Sequence, residues 1–366
     1  MKLLYIVPNI NNEGGVARVL SIKANYLVEK LGYEVHILTQ NEGFSPLFYS
    51  FNSNIIFHDI LLKGNFFQFF NSFSRGLKSK IKAIQPDIIV VCDNGLKAYL
   101  IPFILKNKVP LVLEMHSSKF VEDRESDKNI LTKVAFNCIH ALKKIGIKKY
   151  DRFVVETSES ITEWNVNNTI VIPNPLWFTS VRSSTLENNK VIAVGRHTYE
   201  KGFDRMLQIW KKVIAKHPDW ILEIYGKSNE SIDLRELAKS LDISKNVVFY
   251  EPVRNINEKY LQASFYLMTS RFEGFGMVLI EAMASGLPCI AYDCPCGPRG
   301  ILSQKEDGFL IENGNESDYV KAVETLIENI KLRREMGKKA KLSSEKYHID
   351  AIMETWNQLF IGMKKN

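Results

Sequence analysis

Short runs of Val, Ile and Leu alternate with longer amphipathic stretches along this chain of 366 residues, and the alternation occurs twice. A strand that carries helices on both faces must be apolar on both, so it reads as a continuous apolar run. The first series predicts strands at Leu3–Val7, Glu34–Leu38, Ile55–Ile60, Asp87–Val91, Leu111–Met115, Arg152–Glu156 and Thr169–Ile172. Helices are predicted between them at Val16–Lys30, Phe66–Ile84, Lys97–Leu105, Ile130–Ile145 and Ser160–Trp164. Pro173-Asn174-Pro175 stops the pattern, and residues 176–188 are polar and unpatterned. The second series predicts strands at Val191–Val194, Ile221–Tyr225, Val247–Tyr250, Phe265–Met268, Pro288–Tyr292 and Gly308–Ile311. Its helices fall at Phe203–Lys216, Ile232–Leu241, Met277–Ser285 and Ser317–Ile330; a lysine-rich helical stretch then runs to about Lys346, and a last helix covers Ile349–Met363. The pattern implies an α/β fold of two doubly wound, parallel-sheet domains. Their bounds read as 1–175, a linker at 176–188, 189–348, and a closing helical segment at 349–366. Ligands bind such sheets at the carboxyl ends of the strands, so two domains facing each other would enclose a cleft.

Composition narrows the class. Hydrophobic residues make up 45% and charged residues 24%, the balance of a soluble globular protein. No apolar run reaches the ~18 residues that a bilayer-spanning helix needs. The opening MKLLYIVPNI has one lysine and a short apolar run that Pro8 and Asn9 interrupt, so it reads as a buried first strand and the expected compartment is the cytoplasm. The five cysteines are scattered, which fits reduced thiols; Cys294-Pro295-Cys296 lacks a second pair or a nearby histidine, and no metal is expected there. Of the net charge of +7, residues 1–180 carry the larger share, with 21 Lys and Arg against 16 Asp and Glu. An anionic partner would therefore meet the amino-terminal half, but no nucleic-acid-binding signature accompanies the excess and no nucleic acid is expected.

The chemistry concentrates in a few loops. Arg271 to Gly286 reads R-F-E-G-F-G-M-V-L-I-E-A-M-A-S-G, with Glu273 and Glu281 eight residues apart. The glycine-rich turn between them argues against helix at Gly274–Gly276 and predicts a helix start near Met277. Glu273 then lies on the loop before the helix and Glu281 in its second turn. Carboxylates accept from hydroxyls and a helix start receives an anion, an arrangement that suits a nucleotide-sugar. Past the strand Val191–Val194 comes G-R-H-T-Y-E-K-G, where Arg196 and Lys201 suit a diphosphate; an ordinary solvated loop is the alternative. Gly14-Gly15 closes the loop after the first strand, either as a phosphate-approach turn or as a common β–α connection. His116 follows the strand Leu111–Met115, either as a donor to a sugar hydroxyl or as a loop histidine satisfied by its neighbours. Phe66–Ile84 holds five phenylalanines in its first half and Arg75, Lys78, Lys80 and Lys82 in its second. Such a helix either lies on an anionic membrane surface or packs its aromatic face into a core.

Taken together these features resemble the retaining nucleotide-sugar glycosyltransferases of the GT-B fold, family four or glycosyl transferases group 1, of the bacterial surface-polysaccharide type. Glu273 and Glu281 are similar to that family's E-x7-E signature, and G-R-H-T-Y-E-K-G to its diphosphate loop. The Gly-Gly turn, the mid-domain histidine, V-I-P-N-P, S-G-L-P-C-I-A-Y-D and G-P-R-G-I-L fall in the family's order along nearly the whole chain. The resemblance implies two Rossmann-like domains facing a cleft, with the closing helix packed back on the first. It implies that Glu281 binds the ribose, Glu273 the donor sugar, and Arg196 and Lys201 the leaving diphosphate. His116 would touch the donor, and Gly14, Gly15, Gly276, Met277 and Val278 would offer backbone N–H groups to phosphate oxygens. The donor would be a UDP-sugar and the acceptor a glycan or lipid-linked glycan for lipopolysaccharide or capsule. No metal or other cofactor is expected, and the chain has no D-x-D triplet. The enzyme would be a cytoplasmic hexosyltransferase, peripheral on the inner membrane face. Two features depart from the family: Gly226-Lys227-Ser228 where a G-x-G is usual, and Glu251 where glycine is usual; both bear on the nucleobase. A nucleotide-sugar epimerase, or a silent sugar-binding protein, is the alternative.

Overall fold

The computed structural model describes residues 1–43, 47–106, 109–118, 130–229 and 233–364, with the backbone alone for Phe66 and 130–135. The chain divides into two units, Met1–Trp177 with Ile349–Asn366, and Phe178–His348.

The first unit runs β1 (Lys2–Ile6), α1 (Gly15–Glu29), β2 (Glu34–Gln40), β3 (Ile56–Ile60), α2 (Phe66–Ile84), β4 (Ile88–Val91), α3 (Leu96–Leu105), β5 (Leu111–Glu114), α4 (Ile130–Ile147), β6 (Arg152–Val155), α5 (Glu159–Trp164) and β7 (Thr169–Val171). Its seven strands lie in the order β3-β2-β1-β4-β5-β6-β7, all parallel. Successive strand residues point to opposite faces, and both faces are buried here. Leu4, Ile6, Ile89, Val91, Leu111 and Leu113 enter one core; Leu3, Tyr5, Ile88, Val90 and Val112 enter the other. That two-sided burial is why the strands read as unbroken apolar runs.

The second unit runs β8 (Lys190–Val194), α6 (Phe203–Ile214), β9 (Ile221–Tyr225), α7 (Leu234–Ser240), β10 (Val247–Tyr250), α8 (Ile256–Tyr260), β11 (Phe265–Met268), α9 (Met277–Ala284), β12 (Cys289–Asp293), α10 (Pro298–Ile301), β13 (Gly308–Glu312), α11 (Glu316–Glu328) and α12 (Ile330–Ser344). Its parallel sheet has the order β10-β9-β8-β11-β12-β13. In both sheets the chain reverses its direction of spread at the first strand, beside β1 and beside β8, the place where sheets of this kind take their ligands.

Three details add to the sequence reading. The residues at 176–188 do not stand apart from the units: Trp177 belongs to the first and Phe178 onward to the second. Ser184 donates its N–H to Ser285 O and its Oγ to Ala263 O, while Arg333 grips Leu186 O through Nε at 2.9 Å. The short helices α8 and α10 carry too few residues for an apolar period and escaped the pattern; Ile232, read as a helix start, lies outside the described residues. Finally, α2 turns most of its described aromatic side chains inward. Phe73 and Leu77 are core residues and Phe69 and Phe70 pack against them, whereas Phe67 is 79% exposed. The last helix, α13 (Ile349–Met363), buries Met353, Trp356 and Phe360 in the first unit's core beside Leu3 and Tyr5. Among the described residues, no helix is long and apolar enough to cross a membrane.

Candidate active site

In the second unit two loops leave the switch-point strands side by side. After β8 the chain passes Gly195 and Arg196, makes a 3-10 turn at Tyr199–Lys201, and enters α6 through Gly202. After β11 it runs from Thr269 to Gly276 and enters α9. Gly202 has φ +64, and a Cβ there would stand 2.2 Å from Thr269 O, so only glycine lets the loops come this close. Thr269 Oγ1 donates to Gly202 O at 2.8 Å, and Arg271 N donates to Glu200 O at 2.7 Å. The Arg271 guanidinium completes the staple with a two-pronged bond to Asp204, at 2.9 and 2.7 Å, and a third donor to Tyr199 O. Burial works against the Asp204 carboxylate, but Arg271 outweighs it and holds Asp204 below the usual carboxylate range.

The staple brings Lys201 onto Glu273. The ammonium bonds both carboxylate oxygens at 2.8 Å, and Ser270 Oγ adds a 2.6 Å bond to Oε1. Glu273 is 7% exposed and Lys201 22%, so the pair is buried on the acid side and open on the cation side. Arg196 instead aims at Glu200, at 3.5 Å, and is 64% exposed. Its neighbour His197 turns inward between Phe203 and Phe249, where burial holds the ring below the ordinary histidine value.

The helix after Glu273 begins at Met277, behind Gly276 at φ +100, a conformation other residues adopt only with strain. Gly276 supplies no side-chain cap, so the starting N–H groups of α9 have no capping side chain of their own. Glu281 sits one turn further in and is fully buried, its Oε2 accepting from Tyr260 Oη at 3.1 Å. Glu281, for which the resemblance implies a ribose contact, is therefore held by Tyr260 in this structure.

The other predicted residues lie in the first unit. Gly14 is the extended residue before α1 and donates its N–H to Asn12 Oδ1 at 2.8 Å. A Cβ at Gly15 would meet nothing within 4 Å, so no protein atom demands glycine there. His116 follows β5, and its imidazole is wedged between two acids. Nδ1 lies 2.7 Å from Glu156 and Nε2 lies 3.4 Å from Glu114. Glu114 also takes Lys23 and the Cys92 thiol, and Glu156 takes Asn174 Nδ2. The donor atoms of Cys92, Glu114 and His116 lie within 4.8 Å of one another. Lys23 already supplies the cation at this place, and burial followed by Glu114 pushes the Cys92 thiol well up and keeps its proton on. The charge there is met by protein groups. Lys23, Glu114, Glu156 and Asn174 were not among the residues read from sequence. Their one visible signal is a glutamate ending an apolar strand, in L-V-L-E and in F-V-V-E.

Comparison with known proteins covers nearly the whole chain. Residues 13–176 match the family described as Glycosyltransferase Family 4, and residues 180–343 match the one described as Glycosyl transferases group 1. An uncharacterized glycosyltransferase of Haemophilus influenzae is 31% identical over 362 residues, covering 97% of this chain and 98% of that one. The amylovoran biosynthesis glycosyltransferase AmsD of Erwinia amylovora is 28% identical over 98% of this chain and 99% of its own length. A solved structure of Anabaena HepE in complex with UDP and glucose shares 18% identity, with a TM-score of 0.77 over 99% of this chain and 100% of that one.

Proposed function

The chain belongs to the group 1 glycosyltransferases of the GT-B fold, and from that premise we propose a retaining, metal-independent hexosyltransferase. It moves a sugar from a UDP-linked donor to a glycan or lipid-linked glycan in bacterial cell-surface polysaccharide synthesis, of the lipopolysaccharide or capsule kind. The observation that carries this reading is the Lys201–Glu273 pair at the switch point of the second sheet, with Ser270 behind it and the start of α9 beside it. Support for the donor comes from HepE, whose complex holds UDP and glucose. Support for the pathway comes from AmsD, named for amylovoran biosynthesis.

The roles follow from charge. Breaking the sugar–phosphate bond leaves an anionic diphosphate and an electron-poor anomeric carbon. Lys201, Arg196 and the N–H groups at Gly276, Met277 and Val278 stabilise the departing negative charge, the work a metal does in other sites. Glu273 then accepts from hydroxyls of the donor sugar, and Glu281, now bonded to Tyr260, accepts from the ribose. The acceptor attacks on the face the diphosphate leaves, and its proton goes to a phosphate oxygen. In the first unit the backbone N–H of Gly15, at the start of α1, is of the type a phosphate oxygen accepts from, while that of Gly14 is held by Asn12. The protein works in the cytoplasm at the inner membrane face, where the exposed Phe67 and the basic Arg75, Lys78, Lys80 and Lys82 of α2 meet anionic lipid.

The test is a binding panel of UDP-, GDP-, ADP- and dTDP-sugars, followed by mass spectrometry of products with lipid-linked acceptors. UDP-sugar binding and an acceptor heavier by one hexose residue are expected, with the donor's anomeric configuration kept when the product linkage is read by NMR. Free UDP released without an acceptor product would replace the transferase reading with an epimerase or hydrolase.

A further inference from the structure

The His116 cluster holds more order than a satisfied loop histidine requires. It spans four elements of the first unit. Glu114 ends β5, Glu156 follows β6, Cys92 follows β4 and Lys23 projects from α1, with its ammonium 3.6 Å from the centroid of the Trp356 ring on α13. Among the described residues, the other partners of the two acids are donors. Lys23 Nζ and Cys92 Sγ bond Glu114 at 2.5 and 3.2 Å, and Asn174 Nδ2 bonds Glu156 at 2.5 Å. Donors of this kind favour a carboxylate. Burial works against the Glu114 charge, but Lys23 and then His116 hold that group below the usual carboxylate range. Each ring nitrogen of His116 also faces a carboxylate, Nδ1 at 2.7 Å from Glu156 and Nε2 at 3.4 Å from Glu114, an arrangement that suits a hydrogen on both.

The charge count agrees. Lys23 and His116 as cations balance Glu114 and Glu156 as anions, in a place where the side chains of all four are at most 6% exposed. A neutral ring would leave one buried negative charge without a partner, which is costly.

We propose that Glu114 and Glu156 are positioning residues that hold His116 as an imidazolium, anchored through Nδ1–H. The two contacts of the ring are unequal. The Glu156 bond is short and fixes the ring, while the Glu114 contact is long and leaves Nε2–H loosely held. That the charge of the ring sets the alkaline limit of turnover rests on the proposed transferase function. Burial alone pushes the ring toward its neutral form, but Glu114 and then Glu156 outweigh it and raise its proton affinity above the ordinary histidine value. A histidine whose folded pKa is raised lends stability that is full below about pH 6.5 and is lost as pH rises through the folded value.

The experiment is a pH titration of isotope-labelled histidine side chains by heteronuclear NMR on the full chain, with His116→Gln to assign the signal. At about pH 7, where an ordinary histidine is mostly neutral, wild-type His116 should show two N–H groups. Glu156→Gln should move the midpoint down so that the ring is neutral at the same pH, and the alkaline fall of kcat/KM should move down with it. A neutral wild-type ring at about pH 7, or a Glu156→Gln midpoint equal to wild type, overturns the proposal; the first outcome needs no variant to fold. The ring charge is read without turnover. Absence of transfer beside a charged ring counts against the transferase reading alone, and transfer beside a neutral ring counts against the cluster alone.

Discussion

Among the described residues each unit has a lysine–glutamate pair near the carboxyl ends of its strands, and the two pairs differ in how far they are sealed from solvent. In the first unit Lys23 and Glu114 are sealed, with side chains 1% and 4% exposed. Burial pushes the Glu114 carboxyl up, but Lys23 and His116 outweigh it and hold it low. In the second unit Lys201 reaches Glu273 from a loop that remains open on the lysine side. A sealed ion pair cannot change partners without exposing a charge to an apolar interior, so it fixes geometry. An open pair can trade one partner for a ligand at little cost, so it can serve chemistry.

The sharpest way to break this comparison is Lys23→Met. It keeps most of the packing against Trp356 but strands Glu114, and unfolding in denaturant should show a loss of about 3–5 kcal/mol. A loss no greater than that of Lys201→Met would show that the two pairs are equivalent. Lys201→Met should leave stability within about 1 kcal/mol. On the proposed reading it should reduce turnover by about 10²–10³ at saturating donor, because the leaving diphosphate would lose a cation. Normal turnover in a folded Lys201→Met would remove the pair from the reaction. Tyr260→Phe sharpens the second site on a smaller scale. It removes one donor to Glu281, worth about 0.5–1.5 kcal/mol, and by freeing an acceptor should tighten nucleotide binding in calorimetry by a comparable amount. Weaker binding would mean that Tyr260 itself contacts the nucleotide. Smaller still is the expected effect of EDTA on turnover, which is none; activity lost with chelator and restored by Mg²⁺ or Mn²⁺ would show that the cations of the second unit do not suffice. The last comparison is between α2 and the rest of the first unit. Changing Arg75, Lys78, Lys80 and Lys82 to Gln should abolish low-salt flotation with anionic vesicles, and equal flotation of wild type and variant would take α2 out of the membrane reading.

Much of the second unit's site was legible because its parts are local. The eight-residue spacing of Glu273 and Glu281 across a glycine-rich turn already requires a helix to begin between them, and α9 begins at Met277. Lys201 could be placed on the loop after β8 because an apolar strand ends just before it. That Lys201 would meet Glu273, 72 residues away, was not legible. It depends on Gly202 lying against Thr269 O and on Arg271 clasping Asp204, contacts that exist only after β8 and β11 pair. The phenylalanines of α2 show the converse, since a periodicity calculation sees an amphipathic face but cannot say whether protein or lipid covers it.

What the amino-acid order determined by itself was the sequence of strands and helices, the two-domain α/β class and the turn at which α9 starts. These rest on backbone preferences and on burial of every apolar run, both local in effect. Tertiary structure alone decided which acids are neighbours. Lys23, Glu114 with His116, Glu156 and Asn174 come from four separate stretches, and Trp356 joins them from the far end of the chain. Their charges balance only once the sheet has set β5 beside β6 and α13 has closed over α1, because an ion pair acts over a few ångströms of space and is indifferent to distance along the sequence.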